Sequence, residues 1–289
     1  MDAEQLTRSL KGRWYGSYGT ARCPAHNDHN PSLAIRDSDN GKLLLYCHAG
    51  CDYKDIAGAL RALFPSSDYF DTREHQQPIH QRAGKTASTA FIRSIWNASR
   101  PIIGSAAEVY LRGRGIRGAL PASLRYHPDL HHPGGAHLPA MVGKVERDGV
   151  LAGLHRTYLK AGGHGKAAVT PAKAMLGPCR GGAVHLREGC QFLAVCEGIE
   201  TGLSLSEGLS GDCAIWAALS TSGMRGLHLP APNRFNGSLL VAADGDAPGQ
   251  KAGYALAELA SQNGWSVELI SPTAGKDFND LLLECNNGR

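Results

Sequence analysis

Apolar residues recur with different periods along this chain, and these changes divide it into three segments. In residues 1–65, short apolar runs beginning at Leu33 and Leu43 flank a turn-rich stretch, which predicts a β-hairpin. A helical pattern then runs from Asp52 to Pro65. We expect a small module here.

The next residues, 66–89, are polar with hardly any apolar periodicity, so we predict an interdomain linker. From residue 90 to 190 the pattern favours two helices, then an irregular stretch over 121–139, then several strands separated by glycine-rich turns. This combination predicts an antiparallel α+β domain. The predicted strands of this segment are residues 140–145, 151–159 and 183–186.

Residues 191–289 alternate between short apolar strands and helices. Strands that alternate with helices require right-handed crossovers, which predicts a parallel sheet covered on both faces. The fold class expected for the whole chain is therefore α/β and multidomain. The predicted strands are residues 192–196, 214–219, 238–243 and 267–270, and the predicted helices are 199–208, 247–263 and 278–284.

Composition narrows the class of protein. The chain has 289 residues, of which 42% are apolar and 19% charged, values typical of a globular protein with two or three domains. It contains no run of eighteen apolar residues, and its first residues do not resemble a signal peptide, so we expect a cytoplasmic protein. Three of the eight cysteines cluster with histidines, which suits metal binding in a reducing compartment.

The net charge of +4 hides a strong asymmetry. Residues 1–82 are neutral, residues 83–190 carry 15 basic against 5 acidic side chains, and residues 191–289 carry 5 against 11. A basic middle segment beside an acidic one suggests that one part attracts polyanions while the other holds cations. The alternative is two differently solvated surfaces without a ligand.

A Cys/His cluster lies in the first segment. Cys23 and His26 form one pair, and Cys47 and Cys51 form another, with a predicted hairpin between them. Two cysteine or histidine pairs held together in this way are the ligand set of a structural zinc ion. His48 lies inside the second pair and is an alternative ligand. Because the module is too small to bury a large core, we expect metal removal to unfold it.

Carboxylates follow two predicted strands of the last segment. Glu197 comes directly after one strand, and Asp244 and Asp246 after another. Ligands of open parallel sheets bind beyond the carboxyl ends of the strands, so we expect the three side chains to share one rim. Such clustered oxygen ligands favour Mg²⁺ or Mn²⁺. The competing interpretation is solvated acidic turns.

Four further residues have two interpretations each. Glu200 lies one helical turn after Glu197 and either faces the same site or stabilises the helix N-terminus. After the last strand, Lys276 is a candidate phosphate-binding or catalytic residue, and Asp277 and Asp280 are candidate Mg²⁺ ligands. A helix cap by Asp277 or Asn279 is an equally good explanation for this motif.

Cationic side chains of the middle segment are candidates for binding backbone phosphates or a nucleoside triphosphate, because such contacts need charge more than fixed spacing. The candidate nucleic-acid- or nucleotide-binding residues are Arg112, Arg114, Arg117, Arg156, Lys160 and Lys166.

These motifs resemble a known family. The segment from Cys23 to Cys51 resembles the zinc-binding domain of bacterial and phage DNA primases. The motifs Val195-Cys-Glu-Gly-Ile-Glu-Thr-Gly, Ala243-Asp-Gly-Asp-Ala-Pro-Gly and Gly275-Lys-Asp-Phe-Asn-Asp280 resemble the Toprim domain of those primases. The middle is similar to the segment that precedes Toprim in phage, plasmid and integrated-element primases. The resemblance implies a zinc-binding domain at 1–65, the linker at 66–89, the N-terminal part of the primase core at 90–190 and Toprim at 191–289.

The resemblance implies synthesis of short RNA primers on single-stranded DNA from ribonucleoside triphosphates. By residue-by-residue transfer, Glu197 would act at the catalytic rim, Asp244 and Asp246 would bind Mg²⁺, and the zinc ribbon would help to hold the template. We also expect a separate replicative helicase as a partner. The alternatives are a nuclease or topoisomerase-like enzyme with the same carboxylates, and a non-catalytic single-stranded-DNA-binding accessory protein.

Overall fold

The computed structural model describes residues 2–16, 18–28, 31–38, 43–47, 49–65 and 87–288. The chain divides into two compact units, residues 1–84 and 85–289. Most of the predicted linker, residues 66–86, lies outside the described residues.

The first unit is a four-stranded antiparallel sheet with a helix at each end of the segment. The strands pair in chain order, and the predicted hairpin is confirmed, with Leu33 opposite Cys47. Alternate strand residues such as Ile35 and Leu45 point into a small core with Leu6 and Leu60. The elements are α1 (Ala3–Ser9), β1 (Arg13–Trp14), β2 (Gly19–Ala21), β3 (Leu33–Asp37), β4 (Leu43–Cys47) and α2 (Tyr53–Leu63).

The second unit begins with the middle segment of the sequence. Helix α3 starts after Ser88, whose hydroxyl accepts a hydrogen bond from the backbone N–H of Phe91, and α4 is capped in the same way by Ser105. The elements are α3 (Thr89–Ala98), β5 (Arg100–Pro101), α4 (Ala106–Gly113), β6 (Leu124–His131), β7 (His137–Arg147), β8 (Val150–Tyr158), β9 (Lys173–Leu176) and β10 (Ala183–Arg187).

The same unit continues with the alternating strands and helices predicted for the last segment. These are β11 (Phe192–Cys196), α5 (Ile199–Gly208), β12 (Cys213–Ala217), α6 (Thr221–Arg225), β13 (Ser238–Ala242), α7 (Ala247–Gln262), β14 (Ser266–Ile270) and α8 (Phe278–Asn287).

One ten-stranded mixed sheet runs through the whole second unit. Strands β14, β13, β11 and β12 are parallel, as predicted, and β10 joins β12 to β7 by antiparallel pairing on both sides. The strands of the last segment and those of the middle segment therefore share one hydrogen-bonded sheet. The predicted α/β class with parallel strands is confirmed.

Alternation along the parallel strands gives each face of the sheet its own core. Ala194 and Leu240 face one core together with residues of α4 and α5, whereas Val195 and Val241 face the other, which includes residues of α7. Because side chains of a strand point alternately to opposite faces, a continuous apolar run buries both faces.

The prediction that residues 121–139 are irregular is wrong, because most of these residues form β6 and the start of β7. The run is rich in histidine and proline, and only Leu124 and Leu130 of β6 are buried. A register shift between His127 and Leu130 breaks the period of two that would reveal a strand. The structure thus forms a strand, paired with β7 and β5, where the sequence pattern is weak.

Within the described residues, no helix is both long and apolar enough to cross a membrane.

Candidate metal centre and active site

Four side chains of the first unit converge as a metal-binding group. The ligand atoms of Cys23, His26, Cys47 and Cys51 all lie within 4.8 Å of one another. His26 turns Nδ1 toward the cysteines, 3.2 Å from the Cys51 sulfur and 4.0 Å from that of Cys47. Three sulfurs and one imidazole nitrogen match a structural zinc site, so this cluster can bind zinc. The alternative ligand His48 lies outside the described residues.

The thiols of this cluster are electrostatically suited to a cation. Burial raises the pKa of Cys23 to about 12, and the neighbouring Cys47 and Cys51 add to that rise. Burial and Cys47 also raise the pKa of Cys51. Three thiolates this close together repel one another, and a bound cation removes that repulsion.

Asp28 supports this group and was not singled out by sequence. Its Oδ1 lies 3.7 Å from Nε2 of His26, on the side of the ring away from the cysteines. Its Oδ2 accepts hydrogen bonds from Cys23 N at 2.6 Å and from the Ser32 hydroxyl at 2.6 Å. Burial alone would raise the pKa of Asp28, but these hydrogen bonds lower it. A carboxylate behind a histidine fixes which ring nitrogen faces the metal.

The predicted carboxylate rim lies at the carboxyl ends of β11 and β13. Glu197 follows β11, and its backbone carbonyl accepts a hydrogen bond from Leu219 N, beyond the end of β12. Asp244 follows β13, and Asp246 caps α7 by accepting a hydrogen bond from Gly249 N at 2.7 Å. The position of all three residues follows from the parallel strand order.

Electrostatic coupling shows that these acids share one environment. Burial, followed by Asp244 and Asp246, raises the pKa of Glu197 to about 7. Burial, followed by Asp277 and Asp246, raises the pKa of Asp244 to about 6. Among the described residues, the group of His, Cys, Asp and Glu side chains arranged so that it could hold a metal ion is the Cys/His group.

Gly245 lets two loops meet at this rim. Its N–H donates to the Lys276 carbonyl at 2.8 Å, and its own carbonyl accepts from Gly275 N at 3.0 Å. A Cβ at Gly245 would clash with the carbonyl oxygen of Thr273 and lie 2.8 Å from that of Lys276. This close approach holds the loop after β14 beside Asp244, which explains why Asp277 affects the pKa of Asp244.

The residues after β14 have different positions from one another. Asp277 and Asp280 form a reciprocal capping box at the start of α8, with hydrogen bonds of 2.8 and 3.1 Å. Asp277 is close enough to Asp244 to raise its pKa, whereas Asp280 is not among the groups that do so. Lys276 points along α8 and pairs with Glu284 at 2.6 Å. Asp277 is therefore the residue of this motif whose charge acts on the rim carboxylate Asp244.

The candidate cations of the middle segment separate into three kinds. Arg112 donates to the Glu108 carboxylate and to the carbonyls of Ile116 and Gly118, so its guanidinium is used within the protein. Arg156 is buried and donates to the carbonyls of His131 and Met175.

Arg117 and Lys160 are exposed. Arg114 and Lys166 lie near the rim, since Arg114 affects the pKa of Lys166 and Asp277 affects it too. Of the six candidates, these two are the ones that the structure brings to the carboxylates.

Lys173 is a rim residue that sequence patterns did not reveal. It lies on β9, and its ammonium lowers the pKa of both Glu197 and Asp244. Its side chain also pairs with Glu200 at 3.0 Å. The sequence carried little signal for it, because β9 is short and lies in a stretch where no strand was predicted.

Comparisons with known proteins give the class of domain. A family model described as a Toprim domain matches residues 192–288, and another, described as a domain of unknown function (DUF7146), matches residues 86–186. Residues 192–288 are therefore a Toprim domain, as the motifs around Glu197, Asp244 and Lys276 predicted.

The chain is also similar in fold to solved primases. It matches the zinc-binding and RNA polymerase domains of the Aquifex aeolicus primase at 16% identity and a TM-score of 0.47, covering 98% of this chain and 80% of that one. It matches the primase fragment of the bacteriophage T7 primase-helicase protein at 12% identity and a TM-score of 0.43, covering 92% and 96%. A DNA primase domain from Pseudomonas aeruginosa matches at 16% identity and 0.45, covering 68% and 74%. No curated protein sequence matches.

Proposed function

We propose that this chain is a DNA primase that synthesises short RNA primers on single-stranded DNA by metal-dependent nucleotidyl transfer. The observation that carries the proposal is the rim of the Toprim domain, where Glu197 and Asp244 have raised pKa values and Lys173 lies close enough to lower them. A site that contains both carboxylates and an ammonium group suits a reaction in which a divalent cation and a polyphosphate bind together.

In the proposed reaction the 3′-hydroxyl oxygen of the growing primer attacks the α-phosphorus of a nucleoside triphosphate. A new oxygen–phosphorus bond forms, the bond to the β-phosphate breaks, and pyrophosphate leaves. Glu197, whose pKa is about 7, is suited to accept the hydroxyl proton near neutral pH. Lys173 and Lys166 are suited to orient the triphosphate by charge.

The rim residues also fit a magnesium ion chemically. Hard carboxylate oxygens are its preferred ligands. After burial, neighbouring acids raise the pKa values of Glu197 and Asp244, and a bound cation would relieve that repulsion. Asp244 and Asp246, with Glu197, would hold Mg²⁺ or Mn²⁺, with Asp277 or Asp280 as additional candidates. When bound, the ion supplies electrostatic stabilisation of the charge on the transferring phosphoryl group.

The other parts of the proposal concern partners. The Cys/His group would hold a structural zinc ion, and its domain would help to bind the template. Exposed cations of the middle segment, Arg117 and Lys160, are candidates for backbone phosphates of the DNA. A separate replicative helicase would supply single-stranded template, and the setting would be the reducing cytoplasm.

A priming assay tests the proposal directly. Purified protein is incubated with single-stranded DNA, labelled ribonucleotides and Mg²⁺ or Mn²⁺, beside the variants Glu197→Gln and Asp244→Asn. We expect short labelled products from the wild type and a loss of at least about 100-fold in both variants, because each removes a charge that acts on the reacting groups. Glu258→Gln, an exposed carboxylate on α7, is the matched control and should prime normally.

The other outcomes separate the alternatives. Cleaved template without synthesis would identify a nuclease, and tight DNA binding with neither reaction would identify an accessory protein. Either result would overturn the proposed activity.

A further inference from the structure

A buried ion cluster joins the middle segment to the Toprim domain beside the rim. The Glu200 carboxylate on α5 accepts a hydrogen bond from the Tyr110 hydroxyl on α4 at 2.6 Å and from Lys173 Nζ on β9 at 3.0 Å. Lys166 Nζ lies 4.0 Å from the same carboxylate. Three elements that are distant in sequence thus meet at one side chain.

The Glu200 side chain is only 7% exposed, and a carboxylate this buried is stable only when it is paired. Burial alone would raise the pKa of Glu200, but Lys173, Tyr110 and Lys166 together lower it well below its ordinary value. The cluster therefore contains a permanently ionised carboxylate with two ammonium groups.

The lysines, in contrast, reach solvent. Their side chains are 37% exposed for Lys173 and 43% for Lys166. Lys173 also lies within electrostatic reach of Glu197 and Asp244, because it lowers the pKa of both. Each ammonium group is thus within 4.0 Å of the Glu200 carboxylate and partly exposed to solvent.

Two neighbouring ammonium groups repel each other, and Glu200 offsets this repulsion. Burial and Lys173 lower the pKa of Lys166, as does Arg114, whereas Glu200 and Asp277 raise it. His155, buried beneath the cluster, has its pKa lowered to about 3, first by burial and then by Lys173, and is neutral. Glu200 is therefore the carboxylate that pairs with both lysines and offsets the repulsion between them.

We infer that Glu200 is the positioning residue of a polyphosphate subsite in which Lys166 and Lys173 bind the charged oxygens of a nucleoside triphosphate. The inference rests on the proposed function for the identity of this ligand, whereas the subsite itself is argued from the cluster. The Tyr110 hydroxyl donates to Oε1 of Glu200, whereas Lys173 donates to Oε2, so α4 contributes to the same subsite.

The opposite role for Glu200 makes a different prediction. If Glu200 only competed with an anion for the lysines, its neutralisation would strengthen anion binding. If it positions them, neutralisation weakens binding. The sign of the change therefore separates the two roles.

The test measures binding of inorganic tripolyphosphate by calorimetry in buffer with no added Mg²⁺ or Mn²⁺, so that the lysines act without that cation while the zinc site stays intact. We expect Glu200→Gln to weaken binding about tenfold, the effect of one lost charge-assisted contact. In the priming assay the same variant should raise the KM for nucleoside triphosphate with kcat changed less than about threefold. Unchanged or tighter tripolyphosphate binding would overturn the inference, and so would a wild-type protein that does not bind it.

Two variants control for loss of structure. Glu146→Gln removes a carboxylate that pairs with Lys144 at 3.0 Å elsewhere on the sheet, and it should bind tripolyphosphate like the wild type. Tyr110→Phe removes the hydrogen bond but no charge, and we expect less than about a threefold change. If Tyr110→Phe weakened binding as much as Glu200→Gln, the role would be packing of α4, and the inference would be overturned.

Should Glu200→Gln fail to fold, Lys173→Gln carries the test, because its side chain is partly exposed. Binding unchanged in Lys173→Gln would again overturn the inference. Failure of the proposed function has a different signature, namely Glu200-dependent tripolyphosphate binding by a protein that makes no primers.

Discussion

At the scale of single residues, the chemistry of the rim comes from charges that are costly to bury. Glu197 and Asp244 are both largely buried, and their pKa values rise because burial and the charges of neighbouring acids oppose ionisation. Glu200, one helical turn from Glu197, has the opposite shift because two lysines and a tyrosine surround it. Neighbouring carboxylates on one helix terminus thus take different roles.

The raised pKa of Glu197 predicts how stability depends on pH. In the unfolded chain this carboxyl ionises near its ordinary value, and in the folded protein only near pH 7. The folded state therefore holds the extra proton between these values, and stability falls as pH rises through that window. We expect Glu197→Gln to be neutral near pH 4 and stabilising by on the order of 2–3 kcal/mol at pH 8.

Urea unfolding without added divalent cations at both pH values measures this effect, with Glu258→Gln as the control. Added Mg²⁺ at pH 8 should stabilise the wild type more than Glu197→Gln. An equal effect of the substitution at the two pH values would contradict the prediction.

At the scale of elements, the rim depends on how the strand ends are connected. The parallel order of β13, β11 and β12 brings Glu197 and Asp244 to one edge, and the loop after β14 closes on Gly245. The helix that follows each carboxylate begins at the same edge, so α5, α7 and α8 all start beside the site. The strand order of the sheet therefore determines where these acids lie.

Gly245→Ala tests the close approach of the two loops. The added Cβ would clash with the Thr273 carbonyl, a backbone atom that cannot rotate away, so the loop must move. We expect a loss of roughly 1–3 kcal/mol in the free energy of unfolding, together with a marked loss of priming. Gly208→Ala at the end of α5 is the matched control, because its added Cβ meets nothing within 4 Å. Equal stabilities for both variants, measured by urea unfolding, would refute the role assigned to Gly245.

At the scale of the whole molecule, the two units are stabilised differently. The second unit has two apolar cores on opposite faces of a ten-stranded sheet. The first unit has one small core that includes two of the cysteines of the metal-binding group. A core of that size gains much of its stability from a bound ion.

Metal removal should therefore unfold the first unit selectively. We expect about one equivalent of zinc per chain by metal analysis, and its removal by a chelator should unfold residues 1–65 while the sheet of the second unit persists in hydrogen exchange. Cys47→Ser should lose the zinc, whereas Cys190→Ser, an exposed cysteine of the second unit, should keep it. A first unit that stays folded without metal would contradict this expectation.

Much of the architecture could be predicted because its signals are local. The hairpin around the Cys/His cluster and the strands that precede Glu197 and Asp244 have strong periodicity and were predicted within a few residues. Strand β6 was missed because its register shift and its many polar residues conceal the period. Asp28, beside the metal-binding group, and Lys173, at the rim, were missed. Their contacts in the folded protein identify them, and no local sequence pattern reveals such contacts.

The sequence by itself determined the kinds of ligand and their order: soft sulfur and nitrogen atoms in the first segment, and carboxylates after apolar strands in the last. Both are local facts of residue type and spacing. Only the tertiary structure decided that Asp277 is the acid of its motif that couples to Asp244, that Arg112 and Arg156 are used internally, and that Lys173 and Tyr110 meet Glu200. Those contacts join residues up to 90 positions apart, and such pairings form only when one continuous sheet brings the middle segment against the Toprim domain.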